Sequence, residues 1–152
     1  MLTIHLTPEV SELIADACRR SGRHETGGML FGEHLTDDVF SVVEATVAGS
    51  GTIASFVRGL LNGLGQLERF FHRTRRDYRR FNYLGEWHSH PSFELLPSGT
   101  DDHSMFEIVN DPTTGARFAV SLIVKLVERK LEARAFAYFP SGEREDVQIL
   151  PW

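Results

Sequence analysis

The chain has a single cysteine, Cys18, among its 152 residues, so no disulfide framework can form within it. Cys18 falls beside the apolar side of the first expected helix, where a buried, inert thiol is the expectation. No apolar run approaches the ~18 residues that a bilayer crossing needs. The first residues lack a basic segment followed by a long apolar core, so no signal peptide is expected. Positive charge is short as well: 16 Lys and Arg stand against 21 Asp and Glu, for a net charge of −5. That balance argues against a general affinity for nucleic acid. Repeats and low-complexity tracts are missing too. With these classes set aside, the expectation is a soluble, cytoplasmic protein with no membrane and no nucleic-acid partner. Its 41% hydrophobic and 24% charged residues are ordinary globular values. The length suits one domain, residues 1–152, that buries roughly two-thirds of its unfolded surface.

The densest chemistry lies in Gly85-Glu86-Trp87-His88-Ser89-His90-Pro91, continuing through Pro97-Ser98-Gly99-Thr100-Asp101. Tyr83, Leu84 and Trp87 lead into it, which puts His88 and His90 at the end of a strand. Residues i and i+2 of a strand face the same way, so both imidazoles can reach one ion. Pro91 ends the strand because it cannot donate to a ladder. Met105, Ile108 and Val109 mark a following helix, with Ser98 and Asp101 at its start. Two imidazoles and one carboxylate make the three-ligand zinc pattern that leaves a fourth position open.

The rest of the chain reads as alternating α and β elements. Leu2, Ile4 and Leu6 alternate as a first strand. Thr7-Pro8 then caps a helix whose apolar face carries Val10, Leu13, Ile14 and Ala17, and Gly22 ends it. Met29 to Phe31 reads as a short buried strand flanked by glycines that permit close approach. Val39 to Val47 reads as another strand, with Phe40, Val42 and Val43 available for burial. Ala48 to Gly59 reads as a loop.

Leu60, Leu64, Leu67, Phe71, Tyr78 and Phe81, with Thr74 between them, keep helical steps and predict one long amphipathic helix. Its opposite side carries Arg69, Arg73, Arg75, Arg76, Arg79 and Arg80, either a solvated face or a docking surface for an acidic partner. Asp111-Pro112 and Gly115 mark a turn. Phe118 to Leu126 reads as a strand covered on both faces. Glu128-Arg129-Lys130 makes a hairpin tip, and Leu131 to Phe139 returns as its partner. Val147 to Trp152 adds an edge strand or simply packs. The fold class is α/β: a mixed β-sheet with hairpins, flanked by three helices.

Zinc held by His88, His90 and Asp101 would bring the pKa of a bound water from about 15.7 towards 7. A group is still needed to move the proton, and Glu25, in a glycine-bounded segment, is the candidate general acid/base. Ser98 is the candidate donor to the oxyanion of the tetrahedral intermediate. Duller readings compete. Ser98-x-x-Asp101 also matches a helix capping box, Asp102 is an alternative ligand one residue on, and His103 reads as exposed.

Taken together, the residues resemble the JAMM metalloproteases, the catalytic members of the MPN fold. The resemblance rests on His88-Ser89-His90-Pro91, seven positions between His90 and Ser98, two more to Asp101, and Glu25-Thr26-Gly27-Gly28 far upstream. Phe93, two residues beyond the proline, also fits. It implies a mixed sheet flanked by helices, akin to the cytidine deaminase architecture. It also implies one Zn2+ per chain on His88, His90 and Asp101, with Glu25 and Ser98 catalytic.

The implied activity is isopeptidase or peptidase cleavage after the C-terminus of a ubiquitin-like protein or its conjugate. Small prokaryotic members of this kind occur beside E1- and E2-like conjugating enzymes, including in antiphage clusters such as CBASS. An alternative substrate is an amino acid or small adduct on a sulfur-carrier protein, and the non-enzymatic alternative is an MPN scaffold. The short stretch from Asp102 to Ala116 leaves little room for insertions that select a ubiquitin linkage. Recognition of an extended tail, adding a strand to an exposed edge, is expected instead.

Overall fold

Ile4 and Leu6 are fully buried in β1 (Thr3–Leu6), and Thr7 turns the chain directly into α1 (Pro8–Ser21). The Thr7 hydroxyl accepts the Val10 N–H at 3.3 Å, a cap worth ~1 kcal/mol. Gly22, at φ +58°, closes α1 by donating its N–H to the Cys18 carbonyl. Cys18 is buried, and burial pushes its thiol up to about 11 against a smaller opposing effect of Arg19. These features come from a computed structural model that describes residues 1–48, 64–112 and 117–150. Most of the expected loop at Ala48 to Gly59, the start of the expected long helix and Gly115 lie outside the described residues.

The remaining elements are β2 (Gly27–Thr36), β3 (Val39–Ala45), α2 (Leu64–Arg73), β4 (Phe81–Ser89), α3 (Gly99–Asn110), β5 (Ala119–Val127), β6 (Lys130–Tyr138) and β7 (Arg144–Leu150). β2 runs ten residues, well beyond the short Met29 to Phe31 strand expected. At the β5–β6 hairpin, Glu128 and Arg129 adopt φ of +50° and +70°. Two left-handed residues in a row make the tight turn that Asn-Gly usually provides.

The expected flanked sheet is corrected in one respect. The seven strands among the described residues close into a barrel in the order β1-β3-β2-β4-β5-β6-β7. β7 is not an edge: it pairs antiparallel with β6 and parallel with β1, which returns to β3. Hydrophobic alternation reports which face of a strand is buried, not which strand lies beside it, so closure is invisible in the pattern. Among the described residues each strand has a neighbour on each side, but the pairing is partial: Lys130 to Arg134 of β6 pair with β5 alone.

Strand alternation sorts the core into two clusters. Leu30, Trp87, Leu122 and Ala135 join Val10, Ile14, Ala17 and Cys18 of α1, which touches β3, β5 and β6 and so fills the inside of the ring. Met29, Phe31, Ile123 and Phe136, of the other parity, and Tyr83, which the β2–β4 register shift at Leu84 turns to the same face, form the second cluster with Phe70 of α2 and Met105, Ile108 and Val109 of α3. Those two helices therefore cover the outside. From Ala119 to Val124 both faces of β5 are buried, as its predominantly apolar sequence predicts.

The long helix expected to reach Phe81 is also corrected. α2 ends at Arg73. The Thr74 hydroxyl donates back to the carbonyls of Phe70 and Phe71, and Arg75 and Arg76 take positive φ. Tyr78 keeps its helical spacing only because it packs edge-on against Phe71 across that turn, and Phe81 opens β4. Three of the six arginines pair with glutamates of the same chain: Arg73 with Glu44, Arg76 with Glu68 and Arg80 with Glu33.

Candidate metal centre

His88 and His90 reach one spot because Trp87, the residue before His88 and of the opposite strand parity, is anchored on the other side. Its indole N–H donates to the Thr46 carbonyl at 2.8 Å inside the barrel. That carbonyl comes so close to β2 that a Cβ on Gly28 would meet it at 1.9 Å, so glycine is required there. His88 closes the ladder between Gly27 of β2 and Ile123 of β5. The His90 N–H donates to the Val124 carbonyl at 2.9 Å before Pro91 turns the chain away.

Ser98 caps α3 with both halves of a capping box. The Asp101 N–H donates to Ser98 Oγ at 3.0 Å, and the Ser98 N–H donates to Asp101 Oδ2 at 2.9 Å. The capping and chemical readings of Ser98-x-x-Asp101 are therefore not rivals. The box orients the Asp101 carboxylate, and the oxygen that receives the Ser98 N–H is also the one that faces the histidines.

His88 Nε2 and His90 Nε2 lie 3.0 Å apart, and Asp101 Oδ2 lies 3.4 and 3.3 Å from them. All three side chains are buried. Zinc bonds of about 2.0–2.1 Å at tetrahedral angles put ligand atoms about 3.3–3.4 Å apart, which the two edges to Asp101 match, while the edge between the histidines is shorter. The electrostatics agree. Burial opposes a charged Asp101, but hydrogen bonds from His88, His90 and the Ser98 N–H outweigh it and hold the carboxyl well below its usual range. For His90, burial lowers the imidazole, while Asp101, the Glu94 carbonyl and the charge of Glu25 together raise it above its ordinary value. The three donors thus favour positive charge between them, carried by a proton or by a cation.

Glu25 enters from the other side of the ladder. Thr26, the next residue, donates its N–H to Ser89 Oγ at 3.0 Å and accepts the Ser89 N–H at 2.9 Å. Glu25 is thereby fixed beside the His88-Ser89-His90 turn, half-buried, and lines the same cleft as His90, Ser98 and Asp101. The cleft holds about 510 Å³. Its lip is apolar: Phe93 is 61% exposed and Leu96 is 43% exposed.

Residues 7–137 match the family described as prokaryotic homologs of the JAB domain. The chain belongs to that family. Two curated relatives of this JAB chain carry the name CD-NTase/cGAS isopeptidase. That of Enterobacter hormaechei subsp. hoffmannii (strain UCI 50) is 34% identical over 112 residues, which are 71% of this chain and 59% of the relative. That of Vibrio cholerae serotype O1 is 35% identical over 80 residues, 53% of this chain and 51% of the relative. The chain thus spans between half and three-fifths of these relatives' length. The solution structure of a Desulfitobacterium hafniense protein superposes with a TM-score of 0.66 at 20% identity. It covers 99% of this chain and 94% of that one, a likeness of fold.

The structure of the JAB chain also separates Asp101 from its neighbour. Asp102 accepts the Tyr138 hydroxyl at 2.6 Å and two bonds from Arg144 at 2.8 and 2.9 Å, away from the histidines. His103 is exposed and pairs with Glu107. One residue was not singled out from sequence. Glu86 is only 1% exposed on β4, where Tyr83 donates its hydroxyl to Glu86 Oε1 at 2.9 Å. Burial pushes its carboxyl well above the usual carboxylate range, the Tyr83 bond opposing this only in part. The signal available was its position, an acid two residues before His88 inside an otherwise apolar strand.

Proposed function

We propose that this JAB chain is a zinc-dependent isopeptidase that hydrolyses the amide bond after the C-terminus of a ubiquitin-like protein, releasing it from a conjugate. The observation that carries the reading is the buried donor triangle opening onto a cleft shared by Glu25 and Ser98. His88, His90 and Asp101 would hold one zinc ion, which would supply Lewis acidity towards the scissile carbonyl and the attacking water. Glu25 accepts the water's proton and returns it to the leaving amine. Ser98 Oγ already accepts the Asp101 N–H, so its own hydroxyl hydrogen remains free to donate to the oxyanion.

The relatives' name supports an isopeptide bond over release of a small adduct from a sulfur carrier, and supports a CD-NTase-type protein as the conjugated target. The full donor set disfavours a scaffold role. E1- and E2-like enzymes would then make the bond that this chain cuts, in an antiphage setting. No helix among the described residues is long and apolar enough to cross a membrane, and we place the activity in the cytoplasm with its substrate.

The test is cleavage of an isopeptide-linked ubiquitin-like conjugate of a CD-NTase by purified protein of measured zinc content. Zinc-loaded wild type should release the modifier, and chelated protein and Glu25→Gln should not. Equal hydrolysis by wild type and Glu25→Gln, or activity that survives full zinc removal, would overturn the proposal.

A further inference from the structure

His88 and His90 both face the donor triangle through Nε2, so each must carry its ring proton on Nδ1 when it ligates as a neutral imidazole. A ligating histidine almost always gives that second N–H to a carboxylate, a carbonyl or a water. His90 meets the rule, since its Nδ1 lies 2.9 Å from the Glu94 carbonyl. His88 differs: its Nδ1 is buried and has no hydrogen-bond partner among the described residues.

Two further oxygens share that condition nearby, Glu86 Oε2 and Ser121 Oγ. Their placement is not scattered. Glu86 precedes His88 by two residues on β4, so the two side chains leave the same face with Cα atoms ~6.6 Å apart. Ser121 is the register partner of Glu86 on the parallel strand β5, as Ile123 is of His88. All lie on the outer face of the barrel, beneath α3, and all are essentially inaccessible. Glu86 Oε1 is already engaged by the Tyr83 hydroxyl, which leaves Oε2 as the uncommitted oxygen.

We propose that Glu86 and Ser121 are positioning residues for the metal ligand His88, joined to its Nδ1 through one buried water. A buried water typically makes about three hydrogen bonds, and three unpartnered polar atoms occupy neighbouring register positions on one face here. None of the three bonds another directly, so a bridging molecule is the arrangement that satisfies them all. The bridge sets the Nδ1–H tautomer and stops the ring from turning about χ2, which presents Nε2 to the cation at no further ordering cost. Tyr83 acts one step further out by holding the Glu86 carboxyl in place.

This inference rests on the metal-centre reading, and the experiment separates the two. Zinc affinity would be measured by competition with a chromogenic chelator for wild type, Glu86→Gln, Glu86→Leu and Ser121→Ala, alongside melting of the chelator-stripped proteins. Glu86→Leu is expected to bind zinc 10- to 100-fold more weakly. Ser121→Ala should weaken binding less, and Glu86→Gln, which keeps an acceptor, should recover most of the loss. In zinc-loaded wild type, the His88 Nδ1–H should give a proton NMR signal protected from solvent exchange, and Ser121→Ala should speed that exchange. Tight zinc binding by wild type with unchanged affinity in folded Glu86→Leu overturns the positioning role alone. If Glu86→Leu does not fold, an unprotected Nδ1–H in wild type, or unchanged exchange in Ser121→Ala, overturns it instead. A wild type that binds no zinc overturns the metal centre and this inference with it.

Discussion

Replacing Glu25 by glutamine removes one proton acceptor and little else that the site uses. Glu25→Gln should therefore keep stoichiometric zinc while losing 10²- to 10⁴-fold in turnover, read by metal analysis and conjugate cleavage on the same preparation. His88→Ala should lose both, because two remaining ligands rarely hold zinc. Ser98→Ala combines two losses, an oxyanion donor worth ~3–4 kcal/mol of barrier and a helix cap worth ~1 kcal/mol. A drop in melting temperature without a drop in rate would leave Ser98 with the cap alone.

The His90–Asp101 pair fixes a pH dependence for protein stripped of metal. Asp101 is depressed in the folded state, so its contribution is present above the unfolded value of ~3.9 and fades as pH falls further. His90 is raised, so its contribution is full below ~6.5 and is lost as pH climbs through the folded value. The pair should thus stabilise stripped protein most between about pH 4 and 6.5. Zinc displaces the same proton, so the rise in melting temperature on adding zinc should grow from pH 5.5 to pH 8. A rise that shrinks over that range would contradict the assignment.

At the scale of elements, the site depends on how closely β2 and β3 approach β4. Gly28 leaves room for the Thr46 carbonyl that anchors Trp87, and Trp87 sets the parity that turns both histidines outward. Gly28→Ala should cost about 3 kcal/mol or more by overpacking and weaken zinc binding, measured by denaturant melts and chelator competition. α2 shows the limit of periodic reasoning at this scale. Its three- and four-residue steps run on past Thr74, but the backbone stops where a hydroxyl bonds back and two arginines turn left-handed. Neither event has a proline or glycine to announce it.

Across the whole molecule, closure of the barrel links the last strand to the metal site. Arg144, the first residue of β7, grips Asp102, and Asp102 is the residue next to the proposed ligand Asp101. Arg144→Ala should loosen the first turn of α3 and lower zinc affinity by less than the tenfold that a direct partner of a ligand costs, with little change in fold. A far-ultraviolet spectrum and the same chelator competition would check both halves.

The local parts of the centre were legible from sequence because local geometry makes them. His88 and His90 share a strand face, and Ser98 and Asp101 sit on the first turn of one helix, whatever the rest of the chain does. Glu25 was a candidate from its glycine-bounded segment and from the family resemblance, but nothing in its own surroundings says that Thr26 will lock onto Ser89 and bring it to the cleft. Sequence alone left Asp101 and Asp102 open. The helix decided between them, since successive residues on a helix point about 100° apart and only one can face the histidines. Ser121 was silent and Glu86 offered only its position before His88, because an acid or hydroxyl in a strand acquires its meaning from the strand beside it. Strand order and closure likewise belong to tertiary structure, where pairing joins residues that share no local pattern.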